Sequence, residues 1–212
     1  MSLTIDRVAF RQALIDASQA LIDSKRELGR LDAAGGDGDL GVTLETGFAA
    51  ARHHLEQNEQ EGIDTQIRTV GEILCREAPS TMGTLFGTAL TVASQSLTSE
   101  SLDGSSLVEF LEHLADEIAA LGQVGEGQRT ALDALRPAAR AARSAHDASG
   151  GSIEKVMRAA CTAAAAGADA TASMPAVVGR ARWTAERAAG SVDAGARACA
   201  IWLCALQLGL DQ

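Results

Sequence analysis

The sequence predicts an all-α protein, a barrel or bundle of about eight antiparallel amphipathic helices. Three observations predict it. Apolar residues recur at spacings of three, four and seven along nearly the whole chain. No segment shows the period-two alternation of a half-buried strand. The helical stretches are rich in Ala, whose small side chain lets helix axes approach closely, and an antiparallel assembly of helices is the natural result.

The elements follow in order. Val8, Leu14, Ala17, Leu21 and Leu28 form one face of a first helix. A second starts near Gly41 and runs to about residues 57–59, with Leu44, Phe48 and Ala51 inward. Residues 64–78 form a third, with Ile67, Val70, Ile73 and Leu74 apolar, and residues 83–97 a fourth, nearly all small or apolar and therefore central. Residues 105–121 are the fifth, with Leu107, Phe110, Leu111, Leu114 and Ile118 on one face. Residues 128–147 are the sixth, bent or restarted at Pro137, which has no N–H to continue the ladder. Residues 152–167 are the seventh, and the eighth covers roughly 179–189 and 193–209, as one long helix or as two. The loops between them carry the glycines. No repeat or composition shift marks a boundary, and 212 residues suit one domain with a full core, so residues 1–212 read as a single domain.

Bulk composition excludes several functions. A net charge of −10 argues against nucleic acid or an anionic membrane as partner. Aromatic residues make up 3% with no Tyr, too few for base-stacking platforms. The longest apolar stretch, Ala198 to Leu206, is too short to span a bilayer, and Asp6 and Arg7 arrive before any apolar run, so no signal peptide is expected and a cytoplasmic location follows. Cys75, Cys161, Cys199 and Cys204 form no C-x-x-C pair and read as small buried apolar residues rather than a disulfide or zinc site. His53, His54, His113 and His146 show no metal spacing and read as surface or helix-end residues, and Glu56 to Glu61 as a solvated helix end.

The segment richest in chemistry is Asp32-Ala33-Ala34-Gly35-Gly36-Asp37-Gly38-Asp39. Carboxylates packed this closely repel one another unless a cation neutralises them. The glycines let the backbone turn sharply and bring several oxygens to one place. Such oxygen-only chemistry suits Mg²⁺, which commonly shares its shell with substrate phosphates. Other readings of the segment fail. Gly36 to Gly41 matches G-x-G-x-x-G, but it follows a helix rather than a strand, and its aspartates would repel a pyrophosphate. An EF-hand counted from Asp37 would need Glu where Phe48 stands. A P-loop needs a lysine after glycine, and the only lysines, Lys25 and Lys155, do not follow one. What remains beside the metal site is a solvated turn with Asp39 as helix N-cap, which leaves Asp32 and Asp37 without a purpose.

Leu31 to Gly41 resembles the signature of the L subunit of dihydroxyacetone kinases, the nucleotide-binding component. Three further blocks resemble that family in order: Gly83-Thr84-Leu85-Phe86-Gly87-Thr88; Arg129-Thr130-Ala131-Leu132-Asp133 to Pro137; and Gly179-Arg180-Ala181 through Glu186-Arg187 and Gly190 to Asp193-Ala194-Gly195-Ala196. The resemblance implies a barrel of eight antiparallel helices with ADP or ATP at one end and two Mg²⁺ ions held by Asp32, Asp37 and Asp39. It places Leu40, Gly41, Val42 and Thr43 beside the nucleotide, with Thr81, Met82, Thr130, Ala131 and Arg180, and Asp193, Ala194 and Gly195 closing the site. Arg180, a permanent cation, suits a phosphate or ribose contact, against a plain surface salt bridge. Asp193 has a second reading as the N-cap of the last helix.

The chain departs from the family pattern in places. Leu40 replaces a common His, Pro79-Ser80-Thr81-Met82 stands where G-G-A-S is frequent, Arg129 replaces Lys, Ala131 replaces Met, Trp183 replaces Tyr, and Ala194 replaces Pro. The metal triad is intact and the nucleotide pocket is altered. The resemblance implies a kinase subunit that presents Mg²⁺-nucleotide to a separate K-type subunit holding dihydroxyacetone or a similar short ketose, with no kinase activity alone. The phosphoryl donor is either free ATP or a resident ADP recharged by a phosphotransferase-system phosphocarrier. A non-catalytic Mg²⁺-nucleotide sensor is the alternative, and a plain helical interaction module, which predicts no metal binding, is a third.

Overall fold

A computed structural model of the chain describes residues 4–97 and 100–210, apart from the side chains of Arg180 and Ala185. Among the described residues ten α-helices carry the fold: α1 (Arg7–Asp23), α2 (Lys25–Gly35), α3 (Leu40–Gln57), α4 (Ile63–Glu77), α5 (Thr81–Ala93), α6 (Gly104–Gly122), α7 (Leu132–Ser149), α8 (Ile153–Ala170), the single turn α9 (Ala185–Ala188) and α10 (Ala194–Leu210). Eight of them close a ring. α1 packs on α3, α3 on α4, α4 on α5, α5 on α6, α6 on α7, α7 on α8, α8 on α10 and α10 back on α1. This is the predicted barrel of antiparallel helices, and α2 and α9 lie outside its wall.

The barrel closes because each wall helix buries one stripe. Leu14, Ala17 and Leu21 of α1, Leu44, Phe48 and Ala51 of α3, and Leu107, Phe110, Leu111, Leu114 and Ile118 of α6 are all buried, as their spacing predicts. With few aromatics available, the interior is filled by Leu, Ile and Ala around Trp202 and Phe86, whose rings meet edge to face with centroids 5.4 Å apart. Small residues let neighbouring helices touch. A Cβ on Gly71 of α4 would sit 2.4 Å from the Gly87 carbonyl oxygen of α5, so those two backbones touch directly.

The structure corrects several sequence expectations. The first predicted helix is two, because at Ser24 the hydroxyl and N–H both turn back on the Ala20 carbonyl and the chain changes direction into α2. Val8, expected inward, is exposed in the first turn of α1. Two three-residue strands, β1 (Thr4–Asp6) and β2 (Ser101–Asp103), pair antiparallel with Ile5 opposite Leu102, too short for an alternation to register. α7 begins at Leu132 rather than 128, and Pro137 sits in its second turn without breaking it. Pro137 has no N–H for the Asp133 carbonyl, and Gly167 of α8 packs against that oxygen instead, at a distance where a Cβ would clash. The last predicted element takes the second of its two expected forms, the 3₁₀ turn Arg180–Thr184 with α9 and then α10. In the acidic stretch after α3, Glu61 is not solvated but partly buried against His54, 3.0 Å away.

The cysteines differ most. Cys199 is buried as expected, but Cys75 is exposed, and Cys161 of α8 and Cys204 of α10 form a disulfide. Forty-three residues separate the two, and only the adjacency of α8 and α10 in the ring brings them together. Closing a loop of that length stabilises a fold by about 4 kcal/mol in the chain-entropy picture. Cys204→Ala is therefore expected to lower the unfolding free energy of the oxidised protein by about 2–4 kcal/mol. Urea unfolding with and without reductant checks it: reductant should bring the wild type down to the variant and leave the variant unmoved.

Candidate functional site

In an antiparallel ring alternate helices point the same way, so α3, α5, α7 and α10 all begin at one end of the barrel. A cavity of about 280 Å³ opens there, and the residues at those four helix starts, Leu40, Thr81, Ala131 and Ala194, line it. Each helix start carries unpaired N–H groups and a partial positive charge, so four of them converging favour an anion, phosphate above all.

The acidic turn joins α2 to α3 at the rim. Asp32 stands in the last turn of α2, and its Oδ2 accepts the N–H of Gly38 at 2.8 Å and of Leu40 at 3.4 Å, so the turn is wound around this one carboxylate. Gly38 has φ +82°, a conformation that a side chain resists. Asp39 occupies the N-cap position of α3 but makes no side-chain capping bond. Its carboxylate is therefore not consumed by the helix. Oxygens of Asp32, Asp37 and Asp39 all lie within 4.8 Å of one another, with Asp32 half-buried and the other two exposed. Three hard oxygen donors at that separation fit a divalent cation such as Mg²⁺.

Two residues of the block Arg129 to Pro137 that the sequence reading did not place beside the ligand shape the cavity at the start of α7. Asp133, buried in the first turn of α7, accepts the N–H of Gly127 at 2.5 Å and of Thr130 at 2.8 Å and so shapes the loop before the helix. Arg129, with φ +61°, is buried against the cavity, donates to the carbonyls of Ala188 at 2.6 Å and Ser191 at 2.7 Å, and leaves its Nε without a partner. Both residues stand in a block matched from sequence. Arg129's hold on backbone 59 and 62 residues away has no periodicity or spacing to betray it.

Asp193 caps α10 through the Ala196 N–H at 2.8 Å and also lines the cavity, so both readings of this residue coincide. Burial pushes its carboxyl up to about 6, opposed by the Ala196 N–H and by Arg129, with the Asp133 charge adding to the rise. The folded state then holds this proton more tightly than the unfolded chain, whose carboxyl titrates near 3.8. The linkage sign follows: stability from this group is lost as pH rises from about 4 through 6, by on the order of 1–3 kcal/mol. Asp193→Asn keeps a capping oxygen and removes the titration. The variant is expected to gain on the wild type between pH 4.5 and 7.5, read as the difference of urea midpoints at the two values. Equal shifts in both proteins would sink the assignment.

Of the residues expected beside a ligand, Asp32, Asp37, Asp39, Leu40, Thr81, Met82, Thr130, Ala131, Asp193, Ala194 and Gly195 line this cavity. Gly41, Val42 and Thr43 do not, because a helix rotates about 100° per residue and only Leu40 of that run faces inward. Gly41 packs α3 on α2, Val42 is exposed, and the Thr43 hydroxyl donates to the Asp39 carbonyl. Arg180 opens the 3₁₀ turn at the cavity mouth, and its side chain lies outside the described residues.

A strap, residues 178–192, borders the cavity through Val178, Gly179, Ala181 and Val192. Thr184 donates from its hydroxyl to the Gly35 carbonyl at 2.8 Å, and Arg187 donates to the carbonyls of Ala34 and Gly36, each at 3.1 Å. The strap is thus tied to the acidic turn on one side and, through Arg129, to the α7 wall on the other.

Together these features define an all-helical barrel domain with a carboxylate centre suited to a divalent cation and a phosphate-favouring cavity at one end. The model of the DAK2 domain matches residues 34–208, and the chain belongs to that family as a domain of the dihydroxyacetone-kinase L-subunit type. Among its relatives, the D-erythrulose kinase of Mycolicibacterium smegmatis is 36% identical over 189 residues, covering 87% of this chain and 32% of that kinase. The ADP-binding subunit DhaL of the PEP-dependent dihydroxyacetone kinase 1 of Listeria innocua is 26% identical, covering 94% of each chain. The crystal structure of the dihydroxyacetone kinase from C. freundii in complex with AMP-PNP and Mg²⁺ superposes with a TM-score of 0.69 at 27% identity, covering 95% of this chain and 33% of that one. This chain therefore spans about a third of the length of the erythrulose kinase. Among the described residues no helix is long and apolar enough to cross a membrane.

Proposed function

We propose that residues 1–212 form a single Mg²⁺-nucleotide-binding domain, the phosphoryl-donor subunit of a kinase for dihydroxyacetone or a related short ketose. The observation that carries the proposal is the meeting of the three-aspartate centre with four helix N-termini around one cavity. Asp32, Asp37 and Asp39 would hold Mg²⁺, two ions by family resemblance. Divalent ions at that position supply charge neutralisation for a transferring phosphoryl group. The chain's own part is positioning. The starts of α5, α7 and α10 offer N–H groups to phosphate oxygens, the apolar wall of Leu31, Leu85, Ile118 and Val124 suits the base and excludes water, and the strap covers the mouth.

The acceptor sugar is supplied by a separate K-type subunit, and turnover is proposed only in its presence. The phosphoryl donor is ATP, or a resident ADP recharged by a phosphotransferase-system phosphocarrier, and a nucleotide surviving purification would favour the second. No nucleic-acid or membrane partner is expected, and the location is cytoplasmic, where Cys161 and Cys204 would be held as thiols. Leu40 favours a second reading as a non-catalytic sensor, because it presents a buried apolar surface where a polar contact is common in the family. Calorimetric titration with ADP and ATP, each with Mg²⁺ and with excess chelator, tests the proposal. Binding that requires Mg²⁺ supports it. Absence of binding by either nucleotide refutes it. Turnover of dihydroxyacetone or erythrulose with a K-type subunit then separates kinase from sensor.

A further inference from the structure

Helix α2 ends in the acidic turn, and its last carbonyls, on Ala34, Gly35 and Gly36, lie beyond the reach of the helix's own N–H ladder. Such oxygens carry the negative end of the helix dipole and attract cationic donors. The strap supplies them. Arg187 Nε and Nη2 reach Ala34 and Gly36, and the Thr184 hydroxyl reaches Gly35 between them. Three successive carbonyls are thus taken by two side chains from a segment about 150 residues away in sequence. Those carbonyls belong to the same short loop that carries Asp32, Asp37 and Asp39, so the position of the metal turn and the position of the strap are not independent.

We propose that Arg187, seconded by Thr184, is a positioning residue that latches the strap to the metal turn, so that metal loading and closure over the cavity are one coupled event. The inference rests on the metal-nucleotide reading of the site and adds a device to it. A cation drawing the three carboxylates together fixes the turn, the fixed turn presents its carbonyls to Arg187 and Thr184, and the strap residues Gly179 and Ala181 are held against the cavity. Without the cation, repulsion between the carboxylates spreads the turn and weakens the latch. Coupling of this kind is reciprocal: holding the strap also tightens the metal.

Trp183 stands on the strap and is 77% exposed, which makes it a reporter. Limited chymotrypsin digestion of the full chain, followed by mass as cleavage after Trp183, reads strap opening without any activity assay. The wild type is expected to be cut about five- to tenfold more slowly with Mg²⁺, or with Mg²⁺ and ADP, than with chelator, as the net loss of about one solvent-exposed hydrogen bond implies. Arg187→Met should reduce that protection to less than about twofold. Arg187→Lys, with its charge and a single donor site, should fall between, and Thr184→Val should weaken protection in the same direction. The helical circular dichroism of each variant shows that it is folded. Equal protection in the wild type and Arg187→Met, or no protection in the wild type, overturns the latch. The two ideas fail separately. A wild type that binds Mg²⁺-ADP in the calorimeter but is not protected loses only the latch. Arg187-dependent protection by Mg²⁺ alone, with no nucleotide binding, retains the latch and loses the nucleotide reading.

Discussion

Asp37→Ala and Asp39→Ala are each expected to abolish Mg²⁺-dependent nucleotide binding, weakening it by about 100-fold or more, which is about 2.7 kcal/mol. Three oxygens within 4.8 Å are few enough that no second set can replace a lost one, and among the described residues this is the only such group of metal-type side chains. The fold should survive. Both side chains are exposed, neither stands in the packed core, and Asp39 makes no capping bond to α3. Removing one of three crowded negative charges should leave the metal-free protein as stable or slightly more stable. Calorimetry with Mg²⁺-ADP and melting in chelator check the two halves. Normal nucleotide binding by either variant would show that the site is elsewhere. Asp32→Ala is a poorer test, since Asp32 also holds the Gly38 and Leu40 N–H groups, and its loss would disturb the turn itself.

Gly41→Ala should damage both stability and the site, although Gly41 does not line the cavity. A Cβ there would lie 2.1 Å from the Lys25 carbonyl oxygen and 2.9 Å from the Gly29 nitrogen, both backbone atoms of α2. Neither can rotate away, so α3 must shift from α2. The cost expected for such overpacking is about 1–3 kcal/mol. The shift also moves Asp39, at the head of α3, relative to Asp32, in α2, and so opens the triad. Gly41→Ala is therefore expected to lower the urea midpoint and weaken Mg²⁺-ADP binding together. Val42→Ala, next door and exposed, should change neither beyond about 0.5 kcal/mol. If Gly41→Ala binds Mg²⁺-ADP like the wild type, the close approach of α2 and α3 does not set the metal geometry.

Much of this protein was legible from residue order alone. The stripes of Leu44, Phe48 and Ala51, or Leu107 to Ile118, follow from helical periodicity, because burial of one face is a local property repeated every three or four residues. The Asp32–Asp39 segment was legible because its three carboxylates lie within eight residues and need only a tight turn to meet. The break at Ser24, the start of α7 at Leu132 and the pairing of β1 with β2 were not: single side-chain hydrogen bonds of Ser24 and Asp133 with neighbouring backbone set the first two, and a partner strand distant in sequence sets the third.

The division has one physical cause. Sequence by itself determined what could be settled within a turn or two of chain: the all-helical class, the faces to be buried and the acidic turn with its three converging carboxylates. The tertiary structure decided everything that joins distant segments. Closing the ring set four helix starts around one cavity and paired Cys161 with Cys204 across 43 residues. It also brought Arg129 to Ala188 and Arg187 to Ala34, contacts of a side chain with a remote carbonyl. Every residue has such a carbonyl, so nothing in the identity of Ala188 or Ala34 could announce the partner in advance.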